Sequence, residues 1–317
     1  MKIKNLLLCF SILAINVAFA NQTYDEQKIA DIFYQLNGDP KDPHKKVNHS
    51  KGFCASGEFV VNKNGISNID LPLFLQNKIP VDIRYSLGGG NMDDKSKPRG
   101  MAINFNGDKE SWTMVMLNTE INFAKNPQEF GQFFEMRIPV NGKVNNEKIA
   151  KLTKEVDSYR NFDKYLQNIG ISSIENTPFY SIHTFYFKSN NGELLPAKWK
   201  FIPQDGIKYL SDEQLAKLDK DFLATNFQNY TKNKPVKYDM YLVLANKGDI
   251  LDDTTALWSG KHKEILVGTL NVTNYNGTSC NSDVYFPSNL PTGVEPPKDP
   301  LFNLRSPTYS ITFGKRQ

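Results

Sequence analysis

Few residues in this sequence suit acid–base or redox chemistry, because it contains only four histidines and three cysteines among 317 residues. His49 stands out, in the segment KVNHSKG at positions 46–52. A neutral imidazole can take up a proton and return it near neutral pH. An isolated histidine is more often a surface residue or a hydrogen-bonding core residue, so His49 indicates catalysis only together with other groups.

Two other motifs place a positive charge beside a hydroxyl group. In PVDIRYS at 80–86, Arg84 and Ser86 lie on one face of a predicted strand, because side chains alternate along a strand. Arg305 precedes Tyr309 by four residues, so on a helix the guanidinium can donate hydrogen bonds to the phenol oxygen. Taken alone, this second pair also fits a surface arginine and a packed tyrosine in an ordinary C-terminal helix.

Eight segments rich in β-branched and aromatic residues predict the strands that position these groups. They form two groups of four, and several are separated by tight-turn sequences such as NGD at 106–108 and SNNG at 189–192. Eight antiparallel strands suffice to close a sheet into a barrel. The predicted strands are residues 57–62, 81–87, 100–106, 112–118, 180–188, 195–203, 238–245 and 264–272.

Three stretches predict helices, at 127–137, 147–167 and 211–230. The first follows Asn126 and has Pro127 at its first helical position, and the third is opened by Ser211. A proline-rich stretch at 287–300 predicts an extended connection along the surface. The sequence therefore predicts an α+β fold, an antiparallel barrel with added helices, in one domain over residues 21–317.

Composition and charge exclude several classes of protein. With 39% apolar and 23% charged residues, the chain is typical of globular proteins rather than disordered or polytopic membrane proteins. The net charge of +4 comes from 38 basic and 34 acidic residues that interleave along the chain, so we expect no nucleic-acid partner. The low cysteine count excludes a cysteine-rich zinc module or a dense disulfide scaffold.

Residues 1–20 predict a secretory signal peptide. Lys2 and Lys4 precede an apolar run at 6–19, and AFA at 18–20 offers small residues at the cleavage positions. The alternative is an uncleaved N-terminal anchor, but the apolar run is short for a membrane span. We expect export to the periplasm, with no membrane attachment after cleavage.

The cysteines outside that peptide are Cys54 and Cys280. They could pair in an oxidising compartment, although a disulfide requires closely spaced Cα atoms and the sequence does not place the two in contact. Two separate buried thiols are therefore the favoured expectation.

Together, these motifs resemble the haem catalase superfamily, and more closely its short, secreted branch, the catalase-related peroxidases. The resemblance covers about residues 42–316 and rests on HSKG at 49–52, IRYS at 83–86, PRGMA at 98–102 and the arginine and tyrosine at 305 and 309. No single motif is specific, but their order and spacing are. The resemblance implies haem b as the cofactor, enclosed by an eight-stranded antiparallel barrel.

The resemblance also implies a role for each candidate residue. Tyr309 would be the axial ligand of the haem iron, as tyrosine is in catalases, with Arg305 donating to its oxygen. His49 would be the catalytic acid–base residue, and Ser86 would fix its tautomer. The remaining cofactor-binding residues would be Arg84, Arg316 and Lys46 at the haem propionates and Phe130 on the porphyrin face. For His44, His183 and His262 we expect structural or surface roles.

The sequence departs from large catalases at Leu117, where they carry an asparagine that helps orient peroxide. Asn118 should point to the opposite face of the strand. Disproportionation needs a second peroxide to be positioned, so losing the amide should slow it more than reduction by a donor. The resemblance therefore implies a peroxidase that reduces hydrogen peroxide, and organic hydroperoxides, with a small organic donor and has weak catalase activity.

Two alternatives remain from the sequence. Catalase-fold enzymes that convert lipid hydroperoxides characteristically carry threonine before the histidine, where this chain has Asn48. A non-catalytic periplasmic haem-binding protein would need the tyrosine ligand but neither His49 nor Ser86. Large catalases have longer ends that help lock their tetramers, so we expect a monomer or homodimer here.

Overall fold

In the computed structural model, residues 23–317 are described, and the predicted signal peptide lies outside the described residues. This part of the chain folds into a β-barrel with helices on its outside. Its strands are β1 (Gly52–Val61), β2 (Lys78–Leu87), β3 (Arg99–Asn106), β4 (Ser111–Leu117), β5 (Phe179–Tyr180), β6 (Phe185–Lys188), β7 (Leu194–Pro203), β8 (Val236–Leu244), β9 (Glu264–Tyr275) and β10 (Val294–Glu295).

Eight of these strands close into an antiparallel barrel, in the order β1, β2, β3, β4, β5, β7, β8, β9 and back to β1. Strand β6 pairs with the same edge of β7 as β5 does, and β10 pairs with β6. The prediction of an α+β fold with an eight-stranded antiparallel barrel is confirmed. The predicted strand at 180–188 is broken in two, and the break contains the buried His183.

The interior of the barrel is filled by large apolar side chains. Along β2, Ile83 and Tyr85 point into this core, whereas Arg84 and Ser86 belong to the outer face. Close packing of this kind leaves little free volume between side chains. The aromatic residues of the core include Phe59, Phe74, Phe105, Trp112 and Trp199.

The helices are α1 (Glu26–Asn37), α2 (Pro127–Glu135), α3 (Asn146–Glu155), α4 (Asp157–Gln167), α5 (Asp212–Ala216), α6 (Phe222–Thr231) and α7 (Pro300–Gly314). The stretch predicted at 147–167 is two helices, because Val156 has extended backbone between them. The stretch predicted at 211–230 is likewise divided, and α1 was not predicted. Within residues 23–317, no helix is long and apolar enough to cross a membrane.

Helices α1, α2 and α7 pack on one another outside the barrel. Each begins at a side-chain cap, where Asp25, Asn126 or Asp299 accepts hydrogen bonds from backbone N–H groups of the first turn. Phe33 of α1 meets Phe134 of α2 edge to face, with ring centroids 4.9 Å apart. These contacts fix a three-helix layer against the barrel wall.

A disulfide joins Cys54 of β1 to Cys280, with Cα atoms 5.8 Å apart. The expectation of two separate thiols is therefore wrong. Strand β9 pairs with β1, and the chain after β9 stays beside it: Cys54 N–H donates to Gly277 O and Asn276 N–H donates to Cys54 O, both at 2.8 Å. The pairing of strands distant in sequence brings the two cysteines together.

Candidate active site

Two adjoining cavities, of about 120 and about 450 Å³, lie between the outer face of the barrel and helices α1, α2 and α7. His49, Tyr309 and Phe33 border both cavities, and Arg84 and Ser86 border the smaller one. The expectation that haem sits inside the barrel is wrong, because packed apolar side chains fill the interior and the predicted site residues of β2 face outward.

His49 lies in the loop before β1, held against the barrel wall. Its Nδ1 atom is 3.0 Å from Ser86 Oγ. A Cβ atom at Gly100 would lie 3.0 Å from the imidazole, so glycine leaves room for the ring. Burial, assisted by the positive charges of Arg84 and Arg305, lowers the pKa of His49 to about 4. The imidazole is therefore neutral at neutral pH and able to accept a proton.

His49 also has an unusual backbone conformation, with a φ angle of 52°. This left-handed region is uncommon for residues other than glycine and carries a cost in free energy. Asn48 stabilises it locally, since its side-chain oxygen accepts a hydrogen bond from the His49 N–H at 3.1 Å. With this backbone conformation, the imidazole borders both cavities.

Tyr309 stands across the cavities from His49, on helix α7. Arg305 Nη2 donates to the Tyr309 hydroxyl at 2.9 Å, as the four-residue spacing predicts. Arg305 Nη1 donates to His183 Nε2, also at 2.9 Å, and His183 Nδ1 lies 2.7 Å from Asp299 Oδ2. A chain of hydrogen bonds thus runs from a buried carboxylate to the phenol that borders the cavities.

The protonation states along this chain follow from burial. Because Nε2 of His183 accepts from Arg305, Nδ1 carries the proton and donates to Asp299. Burial lowers the pKa of His183, consistent with a neutral ring. Burial alone would raise the pKa of Asp299, but hydrogen bonds from His183 and from the Phe302 N–H hold it below its ordinary value.

Sequence reasoning missed the contribution of His183 and Asp299 to this site. For His183 we expected a structural or surface role, yet it is 2% exposed and bonded to Arg305. The signal for Asp299 was its place before Pro300, at the cap of the helix that carries Tyr309. The other two histidines lie elsewhere: His44 contacts the Arg316 carbonyl and His262 contacts Asp249.

Three cations lie together at the smaller cavity: Lys46, Arg84 and Arg316. Within residues 23–317, none of them forms an ion pair with a carboxylate; Arg84 Nε donates to Asn281 Oδ1 at 3.1 Å and Lys46 donates to the Asp283 carbonyl. Burial, with the charges of Arg316 and Arg84, lowers the pKa of Lys46 to about 7. Such a cluster calls for an anionic ligand.

An aromatic wall completes the larger cavity. Phe130 borders it, with its ring centroid 5.3 Å from Phe123 at an interplanar angle of 25° and 6.2 Å from Phe33, edge on. Flat rings in this arrangement suit a planar apolar ligand. Phe130 therefore borders the same cavity as His49 and Tyr309.

Leu117 borders the larger cavity, so an apolar side chain lines the wall there. Asn118 borders it as well, but its amide is bonded to the backbone: Oδ1 accepts from Arg99 N–H and Nδ2 donates to Lys97 O, both at 2.9 Å. Strand β4 ends at Leu117, so strand alternation does not extend to Asn118. Neither residue presents a free amide beside His49.

These groups fit haem. The cation cluster matches two propionates, the aromatic wall matches the porphyrin, and Tyr309 offers an oxygen to which a guanidinium donates a hydrogen bond. His49 faces the same space from the opposite side. Fold and site together fit a haem-binding protein.

Comparisons with known proteins point to one family. The family described as catalase matches residues 41–317. A catalase-related peroxidase from Synechococcus elongatus is 32% identical over 282 residues, covering 86% of this chain and 83% of its own length. A catalase-related peroxidase from Mycolicibacterium paratuberculosis is 23% identical, covering 86% and 90%. The structure of catalase A from Saccharomyces cerevisiae superposes with a TM-score of 0.77 at 19% identity, covering 86% of this chain and 61% of that one.

The chain therefore belongs to the catalase superfamily, in the branch of the catalase-related peroxidases. It spans less than two thirds of the length of larger catalases, such as the 58% matched in the catalase of Schizosaccharomyces pombe. Helix α1 precedes the matched range, although Phe33 of this helix borders both cavities.

Proposed function

We propose that this protein is a haem b peroxidase that reduces hydrogen peroxide to water with a small organic donor, and that it works in the periplasm. One peroxide and a two-electron donor give two waters and the oxidised donor. The observation that carries the proposal is the neutral His49, bonded to Ser86, facing the pair of Arg305 and Tyr309 across one site. When bound, haem supplies the redox chemistry that cleaves the oxygen–oxygen bond.

Residues of this chain would hold the cofactor from three directions. Tyr309 would bind the iron, with Arg305 donating a hydrogen bond to its oxygen. Lys46, Arg84 and Arg316 pair with the propionates. Phe130 packs on the porphyrin face, which also excludes water from it.

His49 performs the proton transfers of the reaction. Its neutral ring takes a proton from one peroxide oxygen and returns it to the departing oxygen, which leaves as water. The contact with Ser86 holds the ring in one orientation through both transfers. Because its pKa is lowered to about 4, the imidazole is ready to accept a proton throughout the neutral range.

We further propose that donor oxidation exceeds disproportionation. The apolar Leu117 and the engaged amide of Asn118 offer no hydrogen bond to position a second peroxide. Oxidation of an organic donor does not require a second peroxide to be held at the site. Weak catalase activity beside stronger peroxidase activity is the expected balance.

Two features support an exported enzyme. The sequence at 1–20 has the pattern of a signal peptide. The disulfide between Cys54 and Cys280 suits an oxidising compartment such as the periplasm.

We expect the mature protein to be a monomer or a homodimer, which size-exclusion chromatography with light scattering measures directly.

The test of this proposal uses one preparation of haem-loaded protein. Oxygen evolution from hydrogen peroxide and oxidation of a phenolic donor are measured side by side, and the donor reaction should be the faster. His49→Ala should retain haem but react with peroxide about 10²- to 10⁴-fold more slowly. His262→Ala is the matched control, since this histidine pairs with Asp249 away from the site. A haem-loaded wild-type protein inert to peroxide would instead indicate a haem carrier.

A further inference from the structure

The segment that follows strand β9 supplies the oxygen atoms that hold the three cations of the smaller cavity. Residues 276–286, which make up this segment, contain no helix or strand. Asn281 contacts two of the cations: its Oδ1 accepts from Arg84 Nε at 3.1 Å, and its carbonyl accepts from Arg316 Nη1 at 3.4 Å. Lys46, the third cation, donates to the carbonyl two residues later. One short, irregular segment therefore orients all three side chains.

The disulfide attaches this segment to the barrel. Within the described part of the chain, hydrogen bonds join residues 278–285 to distant segments only through the three cations and through Cys280 N–H, which donates to Cys54 Sγ at 2.9 Å. Cys54 is the neighbour of Arg84 across strands β1 and β2, and Cys280 directly precedes Asn281. The covalent link therefore runs from the strand position beside Arg84 to the residue that accepts from it.

The cations need such a support because like charges repel. Burial, together with the charge of Arg316, lowers the pKa of Arg84 to about 10, so the guanidinium stays charged at neutral pH. A carboxylate at position 281 would neutralise the cluster, whereas the amide of Asn281 accepts a hydrogen bond and leaves the positive charge available. An amide held in place from behind suits a site for an anionic group.

We propose that Asn281, held by the disulfide between Cys54 and Cys280, positions the cation cluster for the propionates of haem. Asn281 acts through Arg84 and Arg316 and is therefore a positioning residue. A side chain that is already fixed loses less conformational entropy when its ligand binds, so this support raises haem affinity without any new contact. The inference rests on the proposed function, because it specifies how the same site is prepared for its cofactor.

A simpler role for the disulfide is to stabilise the fold, because it joins residues distant in sequence. Haem dimethyl ester separates the two roles, since it has the porphyrin and the iron of haem but no carboxylates. A weakened fold would loosen both molecules, whereas displaced cations would loosen haem alone. Asn276 provides a matched control within the same segment, since its Nδ2 donates to Ser56 Oγ at 3.0 Å and it borders neither cavity.

The first experiment measures how fast the protein releases its cofactor. Protein loaded with haem, or with haem dimethyl ester, is mixed with excess apomyoglobin, and absorbance follows the transfer. Asn281→Ala should release haem about tenfold faster than wild-type protein, the lower end of the range for groups that orient a ligand-binding side chain. Its release of the ester, and both rates in Asn276→Ala, should stay unchanged. Equal haem release by wild-type protein and Asn281→Ala would overturn the inference, as would equal acceleration for haem and ester.

The second experiment removes the disulfide. The double variant Cys54→Ala/Cys280→Ala should release haem about 10- to 100-fold faster, with a smaller effect on the ester. Adding Asn281→Ala to this variant should change haem release by less than about twofold, because the two changes act on one support. Full additivity would contradict the link between Asn281 and the disulfide. If the cysteine variant does not fold, Asn281→Ala decides the inference, because it keeps the disulfide.

Neither experiment involves peroxide, so the inference and the proposed function fail in different ways. If wild-type protein releases haem as fast as the ester, the cations do not hold the propionates and the inference is wrong, even in an active peroxidase. Haem-loaded protein that is inert to peroxide would contradict the proposed function, while the two release rates would still decide the role of Asn281.

Discussion

The two sides of the candidate site are built in different ways. On the barrel side, His49 in a loop meets one strand hydroxyl, that of Ser86. On the α7 side, Tyr309 ends a chain of hydrogen bonds that passes through Arg305 and His183 to a buried carboxylate. The α7 side holds the Tyr309 hydroxyl through several linked contacts, whereas on the barrel side the imidazole of His49 has one side-chain hydrogen bond, to Ser86.

This difference separates holding a cofactor from using it. The Tyr309 hydroxyl is bonded to Arg305, which is itself held by His183. A side chain fixed in one orientation in this way is suited to be a metal ligand. A neutral imidazole held by a single side-chain hydrogen bond is suited to exchange protons with a small substrate. Substitutions of Tyr309 and Arg305 on the α7 side should therefore change haem retention, and substitutions of His49 and Ser86 on the barrel side should change rates while haem stays bound.

The largest effect is expected for Tyr309→Phe on the α7 side. Loss of the iron ligand should weaken haem binding more than about 100-fold, beyond the range for residues that only support a ligand. Haem absorbance per protein measures this after gel filtration. Tyr34→Phe is the control, because that hydroxyl donates to Thr312 O on the same helix at 3.2 Å. A wild-type haem spectrum in Tyr309→Phe would show that the ligand assignment is wrong.

Next comes Ser86→Ala on the barrel side. Without its hydrogen bond the imidazole can rotate, so peroxide reduction should slow about 10- to 100-fold while haem content stays constant. Stopped-flow mixing with hydrogen peroxide measures the rate. Thr113→Val removes a strand hydroxyl that donates to Asn104 outside the site, and it should react at the wild-type rate. Equal rates for the two variants would remove Ser86 from the mechanism.

A pH effect is expected at the cation cluster. The pKa of Lys46 is lowered to about 7 by burial and by Arg316 and Arg84, and a propionate beside it would raise this pKa again. Haem-bound protein then holds more protons than haem-free protein above pH 7. Haem affinity should therefore fall as pH rises through 7, by at most about tenfold per pH unit, and be flat below it.

Titration of haem-free protein with haem between about pH 6 and pH 9 measures this dependence. Lys46→Arg is the sharpest comparison, because a guanidinium stays charged over this range. The haem affinity of the Lys46→Arg variant should therefore stay constant over this pH range. If haem affinity falls with pH equally in wild-type protein and in Lys46→Arg, the proton taken up on haem binding belongs to a group other than Lys46.

The smallest effect concerns Leu117→Asn, which adds an amide on the barrel side. A new hydrogen bond to peroxide should raise the ratio of oxygen evolution to donor oxidation about threefold. Leu117→Ala separates polarity from space, since it enlarges the cavity without adding a donor. If both variants raise the ratio equally, access rather than hydrogen bonding limits disproportionation.

Local patterns in the sequence predicted much of this molecule. Alternating apolar residues predicted the eight barrel strands, since each strand buries one face. The same alternation put Arg84 and Ser86 together, and helical spacing put Arg305 beside Tyr309. Alternation along a strand does not show which of its two faces points into the barrel. The site was therefore expected inside the barrel rather than on its outer surface.

Contacts between distant segments were beyond such patterns. His183 and Asp299 are 116 residues apart, and only the folded chain brings them together. The disulfide depends on the pairing of β1 with β9, which strand prediction does not provide. Helix α1 has apolar residues at helical spacing, among them Ile29 and Phe33, but its packing partners α2 and α7 lie far along the chain.

The disulfide gives the chain the topology of a ring with two tails. Residues 54–280 form the covalent ring, which includes most of the barrel, with a separation of 226 residues between the cysteines. One tail carries His49, and the other carries Tyr309. Both leave the ring at one point, where the two Cα atoms are 5.8 Å apart. His49 lies five residues before Cys54 and Tyr309 lies 29 residues after Cys280, so the covalent path between the imidazole and the phenol crosses the disulfide without passing through strands β2 to β9.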